Sequence, residues 1–111
     1  MRFMVEEDVL VVWLDEKDWL ELEADTGFTL HPDVAFAEAY VSSPNTIQQS
    51  IIRLAAKNCP ADDQDTVRQA SAQVGEANRP FASILVFTTR QNDDDPSPAR
   101  ERMISVSLPN S

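Results

Sequence analysis

The chain reads as an α+β domain of two layers, a mostly antiparallel sheet with helices packed on one face. Three observations predict this. Two apolar, β-branched runs, at 9–14 and 81–89, lie near opposite ends of the chain. Two segments with helical spacing stand between them. Turn signals beside both runs suggest local hairpins, giving the order β-β-(β)-(α)-α-α-β-β in a single domain, 1–111.

The first run, Val9-Leu10-Val11-Val12-Trp13-Leu14, is apolar on both alternating faces, as a strand covered on both sides requires. Asp15-Glu16-Lys17-Asp18 reads as a polar turn. The next segment alternates, with Leu20, Leu22 and Ala24 on one side and Trp19, Glu21 and Glu23 on the other, which predicts a half-buried strand. Asp25-Thr26-Gly27 is a second turn signal, since Gly supplies a positive φ. Phe28-Thr29-Leu30 is a candidate short third strand, ended by His31-Pro32. The stretch 33–41 fits a short helix capped by Asp33, although Phe36, Glu38 and Tyr40 alternate as in a strand.

Ser43-Pro44 opens a clear helix, with Pro at the first helical position and Ile47, Ile51, Leu54 and Ala55 at helical spacing. It stops at Asn58-Cys59-Pro60. A second helix starts at Asp62, where acids favour the positive end of the dipole, and carries Val67, Ala70, Val74 and Ala77 as its apolar stripe. In the run 81–89, Ala82, Ile84 and Val86 oppose Phe81, Leu85 and Phe87. The stretch 91–100, with three consecutive Asp and two Pro, reads as a mobile acidic loop. The end, 101–108, alternates with Ile104, Val106 and Leu108 inward and Met103, Ser105 and Ser107 outward.

At 111 residues and 12.4 kDa there is room for one core. Nine Lys and Arg against nineteen Asp and Glu leave a formal charge of −10. That excludes sequence-independent binding of nucleic acid, whose affinity comes from cations at phosphates, and binding to anionic membranes. One His and one Cys cannot form a disulfide within the chain or a closed zinc site. The start resembles no signal peptide, and the longest apolar run is far short of a membrane span, so a cytoplasmic protein is expected. The charge is polarised. Residues 1–33 hold ten acids and two bases, a sum of −8, whereas 34–61 sum to +1, 62–78 to −3 and 79–111 to zero.

Few residues carry a chemical signal. Asp25-Thr26-Gly27 is the string of aspartic proteases, but the residues before it are not an apolar strand and Phe28 follows where a small residue is usual; a turn explains it better. His31 is the one conventional base near neutral pH, and its place beside Pro32 fits an element boundary. Cys59, after a helix C-terminus, sits where a thiolate is disfavoured. Asp93-Asp94-Asp95 lacks the spacing of a calcium loop, and Asp62, Asp63 and Asp65 are explained by helix capping. Gly27 and Gly75 are too far apart for a phosphate loop. No catalytic residue, metal site or cofactor is therefore expected.

The most informative group is Trp19 with Glu21 and Glu23. If Leu20 and Leu22 face the core, Trp19 projects outward among carboxylates, and Trp with an acidic rim suits docking on a basic partner. The expected partner-binding residues are Trp19, Glu21, Glu23, Asp15 and Glu16. The expected function is that of a small acidic, non-enzymatic interaction protein (an adaptor, inhibitor or immunity-type protein) whose N-terminal β-hairpin binds a basic patch on another protein. Two alternatives stand beside it. One is a small-molecule-binding domain or enzyme with a pocket between sheet and helices, using His31 and Asp25. The other is a homodimer or larger homo-oligomer joined through the Met103–Leu108 edge, whose weakly polar face suits a subunit contact.

Overall fold

The computed structural model describes residues 1–90 and 101–109. Strands β1 (Arg2–Glu6) and β2 (Val9–Leu14) form an antiparallel hairpin around Glu7-Asp8, with Glu7 at φ 56°. Helices α1 (Glu16–Thr26), α2 (Asp33–Ser42), α3 (Pro44–Asn58) and α4 (Gln64–Ser71) follow. A 3₁₀ turn, Ala61–Asp63, precedes α4 and a π turn, Ala72–Glu76, extends it. Strands β3 (Ser83–Thr88) and β4 (Arg102–Ser107) close the sheet, in the order β1-β2-β3-β4.

The α+β class and the helix layer on one face agree with expectation. The sheet is mixed, not simply antiparallel: β2 and β3 run parallel in its centre, Val11 beside Leu85 and Trp13 beside Phe87. The physical reason is α1. Residues 19–24, expected as the second strand, are helical, so β2 takes its antiparallel partner from upstream, the unanticipated β1. The whole helical layer then becomes the crossover to β3, and a long crossover joins parallel strands. Phe28-Thr29-Leu30 forms no strand. The expected loop at 91–100 lies outside the described residues.

Local chemistry explains α1. Asp15 is its N-cap: the carboxylate accepts from Asp18 N at 2.9 Å, while Asp15 N donates to Asp18 Oδ2 at 3.0 Å. This reciprocal capping box satisfies two orphan donors. The Asp-Thr-Gly string ends the helix, because Gly27 takes φ 75° and donates its N–H to Glu23 O at 2.8 Å. The segment at 33–41 is helical, and α2 turns Phe36, Ala39 and Tyr40 inward.

The core lies between the inner sheet face and the helices. Leu10, Val12, Ile84 and Val86 at the sheet centre meet Trp19, Leu22, Phe36, Tyr40, Ile47 and Ile51. One buried polar side chain ties the layers together. Gln48 donates to Tyr40 Oη at 2.5 Å and to Phe81 O at 3.1 Å, and accepts from Phe81 N at 2.9 Å. These bonds satisfy the backbone where the chain enters β3. No helix among the described residues is long and apolar enough to cross a membrane.

Candidate functional site

All the helices pack on one side of the sheet, and strand alternation puts every second side chain on the other. The register aligns three rows on that outer face: Arg2, Trp13, Phe87 and Met103; Met4, Val11, Leu85 and Ser105; and Glu6, Val9, Ser83 and Ser107. The centre is apolar. Trp13 and Phe87 stack with centroids 5.1 Å apart and planes 16° from parallel. Met4 and Met103 are 42 % and 53 % exposed at the flanks, and Leu85 is half-buried. Trp13 also lines two hollows. One, of about 450 Å³, is shared with Arg2, Met4, Asp63 and Thr66; the other, of about 180 Å³, with Asp15, Phe87, Thr89 and Glu101.

The rim of this face is acidic. Glu6 stands at one end of the strands, and Asp15 and Glu101 at the other, all exposed. Arg2 is the cation of the face among the described residues, and it is engaged: its Nε and Nη2 donate to Asp63 at 2.7 and 3.1 Å, and Phe3 N donates to the same carboxylate at 3.2 Å. These bonds, Arg2's first, hold Asp63 below the ordinary carboxylate range.

Of the expected binding residues, Asp15 stands at this rim, and Trp19, Glu21 and Glu23 fall elsewhere. Trp19 does not project outward: it is 0 % exposed, in the middle of the core. Its Nε1 donates to Thr88 Oγ1 at 2.8 Å, Phe36 meets it edge-on at 5.2 Å, and the Arg90 guanidinium lies 3.9 Å from its ring centroid. The cause is the change of period. In a strand Trp19 and Leu22 take opposite faces; in α1 they share one. Glu21 is half-buried, accepts from Asn58 Nδ2 at 3.3 Å and lies 3.9 Å from Lys57. Glu23 accepts from Leu30 N at 2.9 Å. Asp15, the N-cap, and Glu16, in the first turn of α1, are exposed. The structure therefore does not gather these five residues on one hairpin face.

Much of the N-terminal acidity is neutralised within the fold. Asp25 accepts from Ser50 Oγ at 2.5 Å and Arg53 Nη2 at 2.6 Å, bonds that lower its pKa and join α1 to α3 beside a groove of about 420 Å³. Asp33 accepts from Arg102 at 2.8 and 3.0 Å and from Arg90 at 3.4 Å, and the bonds from Arg102 above all hold its carboxyl low. Asp18 is buried, which pushes its pKa up. The acids left facing water include Glu6, Glu7 and Asp8 at the hairpin turn and Glu16.

The other chemical candidates are held in the fold as follows. Burial pushes the Cys59 thiol up to about 11, and Tyr40 to about 12. Asp25, held to Arg53 and Ser50, is a poor base. Among the described residues no three His, Cys, Asp or Glu cluster as metal ligands would. The Asp93–Asp95 run lies outside those residues.

Sequence reasoning missed Trp13 as a surface residue. The signal was present, because Val9–Leu14 is apolar on both faces and therefore calls for cover on both. Among the described residues, helices supply that cover on one side. No protein-family model matches the chain, and no curated protein or solved structure was found similar to it.

Proposed function

We propose that this chain is a protein-binding module whose docking surface is the outer face of its sheet, and that its partner presents an apolar centre with basic flanks. One observation carries the reading: the two central strands are apolar on both faces, and the stacked Trp13 and Phe87 lie on the face that no helix among the described residues covers. A sheet with one wet face normally alternates apolar and polar residues. Here the central outer positions, Val11, Trp13, Leu85 and Phe87, break that rule. Half-exposed aromatic side chains flanked by exposed Met in a contiguous patch are the composition of an interface centre. Glu6, Asp15 and Glu101 at the ends, with the hairpin turn Glu6-Glu7-Asp8, select a basic counterpart and steer its approach.

This keeps an acidic N-terminal hairpin as the contact, now residues 2–14, and replaces Trp19 with Trp13. The test is affinity capture from the source cell with two baits, the native chain and a Trp13→Ser, Phe87→Ser double variant. A partner retained by the native bait at low salt, released at high salt and absent from the variant bait supports the proposal. A partner captured equally by both baits contradicts it.

A further inference from the structure

We propose that two copies of this chain pair through β4, antiparallel across a two-fold axis, forming one continuous sheet with their α2 helices side by side. The first ground is backbone geometry. Leu108 N donates to Ala82 O at 2.8 Å, one step beyond the Ser83–Ser107 pair. Hydrogen bonding alternates along an antiparallel ladder, so residues 102, 104 and 106 turn their N–H and C=O groups toward β3. Met103, Ser105 and Ser107 turn theirs outward, at an edge that no strand among the described residues pairs with.

The second ground is how differently the two edges are treated. At β1 the 3₁₀ turn before α4 covers the edge, with Asp63 accepting from Phe3 N and from Arg2. Edge strands are commonly protected by Lys, Pro or an inward charge. Residues 102–107 contain no Lys or Pro, and the one charge there, Arg102, is turned to Asp33 and Arg90 O. The outward positions are a Met and two Ser, which resist a second strand least.

The third ground is α2, which packs along β4. Asp33 meets Arg102 at one end of the helix, and Tyr40 reaches Phe81 O at the other. Ala37 is partly packed on the core, and the surface beside it continues through Val34 and Val41, 59 % and 43 % exposed. Positions 34, 37 and 41 make a helical stripe. Val34, Val41 and Met103 are three of the five large hydrophobics exposed among the described residues. They lie on the two elements that form this edge. A second copy supplies a strand and an apolar helix stripe at the same spacing, which an isologous contact requires.

Charge favours a copy joined here over one joined elsewhere. Residues 79–111 sum to zero, and the hairpin of the acidic third lies at the opposite edge of the sheet. Pairing through β4 keeps the two acidic hairpins apart.

The test is light scattering and sedimentation of the full chain over a range of concentrations. The expected mass is twice 12.4 kDa. Ser105→Pro removes an outward N–H while leaving the β3 ladder intact, so it should give the monomer mass with an unchanged circular dichroism spectrum. A Val34→Glu, Val41→Glu variant, altered only at exposed helix positions, should also be monomeric. A native chain that stays monomeric up to about 1 mM overturns the proposal, as does a dimer that survives both variants. The Val34→Glu, Val41→Glu variant leaves the outer sheet face untouched, and Trp13→Ser, two strands from this edge, probes that face separately.

Discussion

Leu10, Val12, Ile84 and Val86 are fully buried beneath the helices, while Trp13, Leu85 and Phe87, one residue away along the same strands, form a half-buried apolar surface around the buried Val11, with none of the described helices over it. The two faces of this sheet have similar composition and different surroundings. The inner face holds the fold together through packing with α1, α2 and α3. The outer face contributes little to that packing, because its side chains meet one another and water. Apolar residues beyond what the fold buries are what a docking surface requires. The same contrast separates the two tryptophans. Trp19 has a hydrogen bond, an aromatic partner and a cation around it; Trp13 has one stacked ring and two open hollows.

Substitutions can break that contrast or sharpen it. The largest effect belongs to the inner side: Trp19→Ala should cost about 3–5 kcal/mol in urea unfolding, from the cavity and from the lost cover over Arg90. Asp33→Asn comes next, at about 2 kcal/mol, because Arg90, 5 % exposed, loses its carboxylate. The outer face comes last. Trp13→Ser should cost about 1 kcal/mol, mostly the stacking with Phe87, while abolishing capture of a partner. A Trp13→Ser variant as unstable as Trp19→Ala would make the outer face structural and remove the distinction.

Acid sharpens the same picture. The pKa values of Asp33 and Asp63 are lowered in the fold, Asp33's chiefly by hydrogen bonds from Arg102 and Asp63's by those from Arg2. A lowered folded pKa means stability that is fully present above the ordinary carboxylate range and lost as pH falls through the folded value. Asp18, raised by burial, acts with the opposite sign. Unfolding free energy should therefore fall as pH drops below the ordinary aspartate range, and an Asp33→Asn chain should lose less over that interval. Equal slopes would mean that Asp33 is not the group responsible.

Much of the fold was legible in the sequence, for physical reasons. Residues 9–14 and 83–88 are β-branched and apolar, and Ser43-Pro44 with Ile47, Ile51 and Leu54 allows little besides a helix. The alternation at 102–107 marked an edge strand. The error at α1 arose because residues 19–24 fit both periods. Leu20, Leu22 and Ala24 alternate as in a strand, while Trp19, Leu22 and Thr26 follow a helix. The deciding signal was the capping pair Asp15 and Asp18, three residues apart, which read as a polar turn until α1 placed both carboxylates on backbone donors. That single change moved Trp19 inside, brought β1 into the sheet and made the β2–β3 pairing parallel. The candidate site was less legible. The run Val9–Leu14 signalled cover on both faces, but among the described residues the helices cover only one of them.

The most direct test uses the two indole N–H resonances in a ¹H–¹⁵N spectrum, recorded before and after adding the partner recovered by capture. Docking on the outer sheet face should shift or broaden the Trp13 indole signal and leave Trp19, sealed in the core, where it was. A complex that forms with the Trp13 signal unmoved would contradict the assignment of this face as the binding surface.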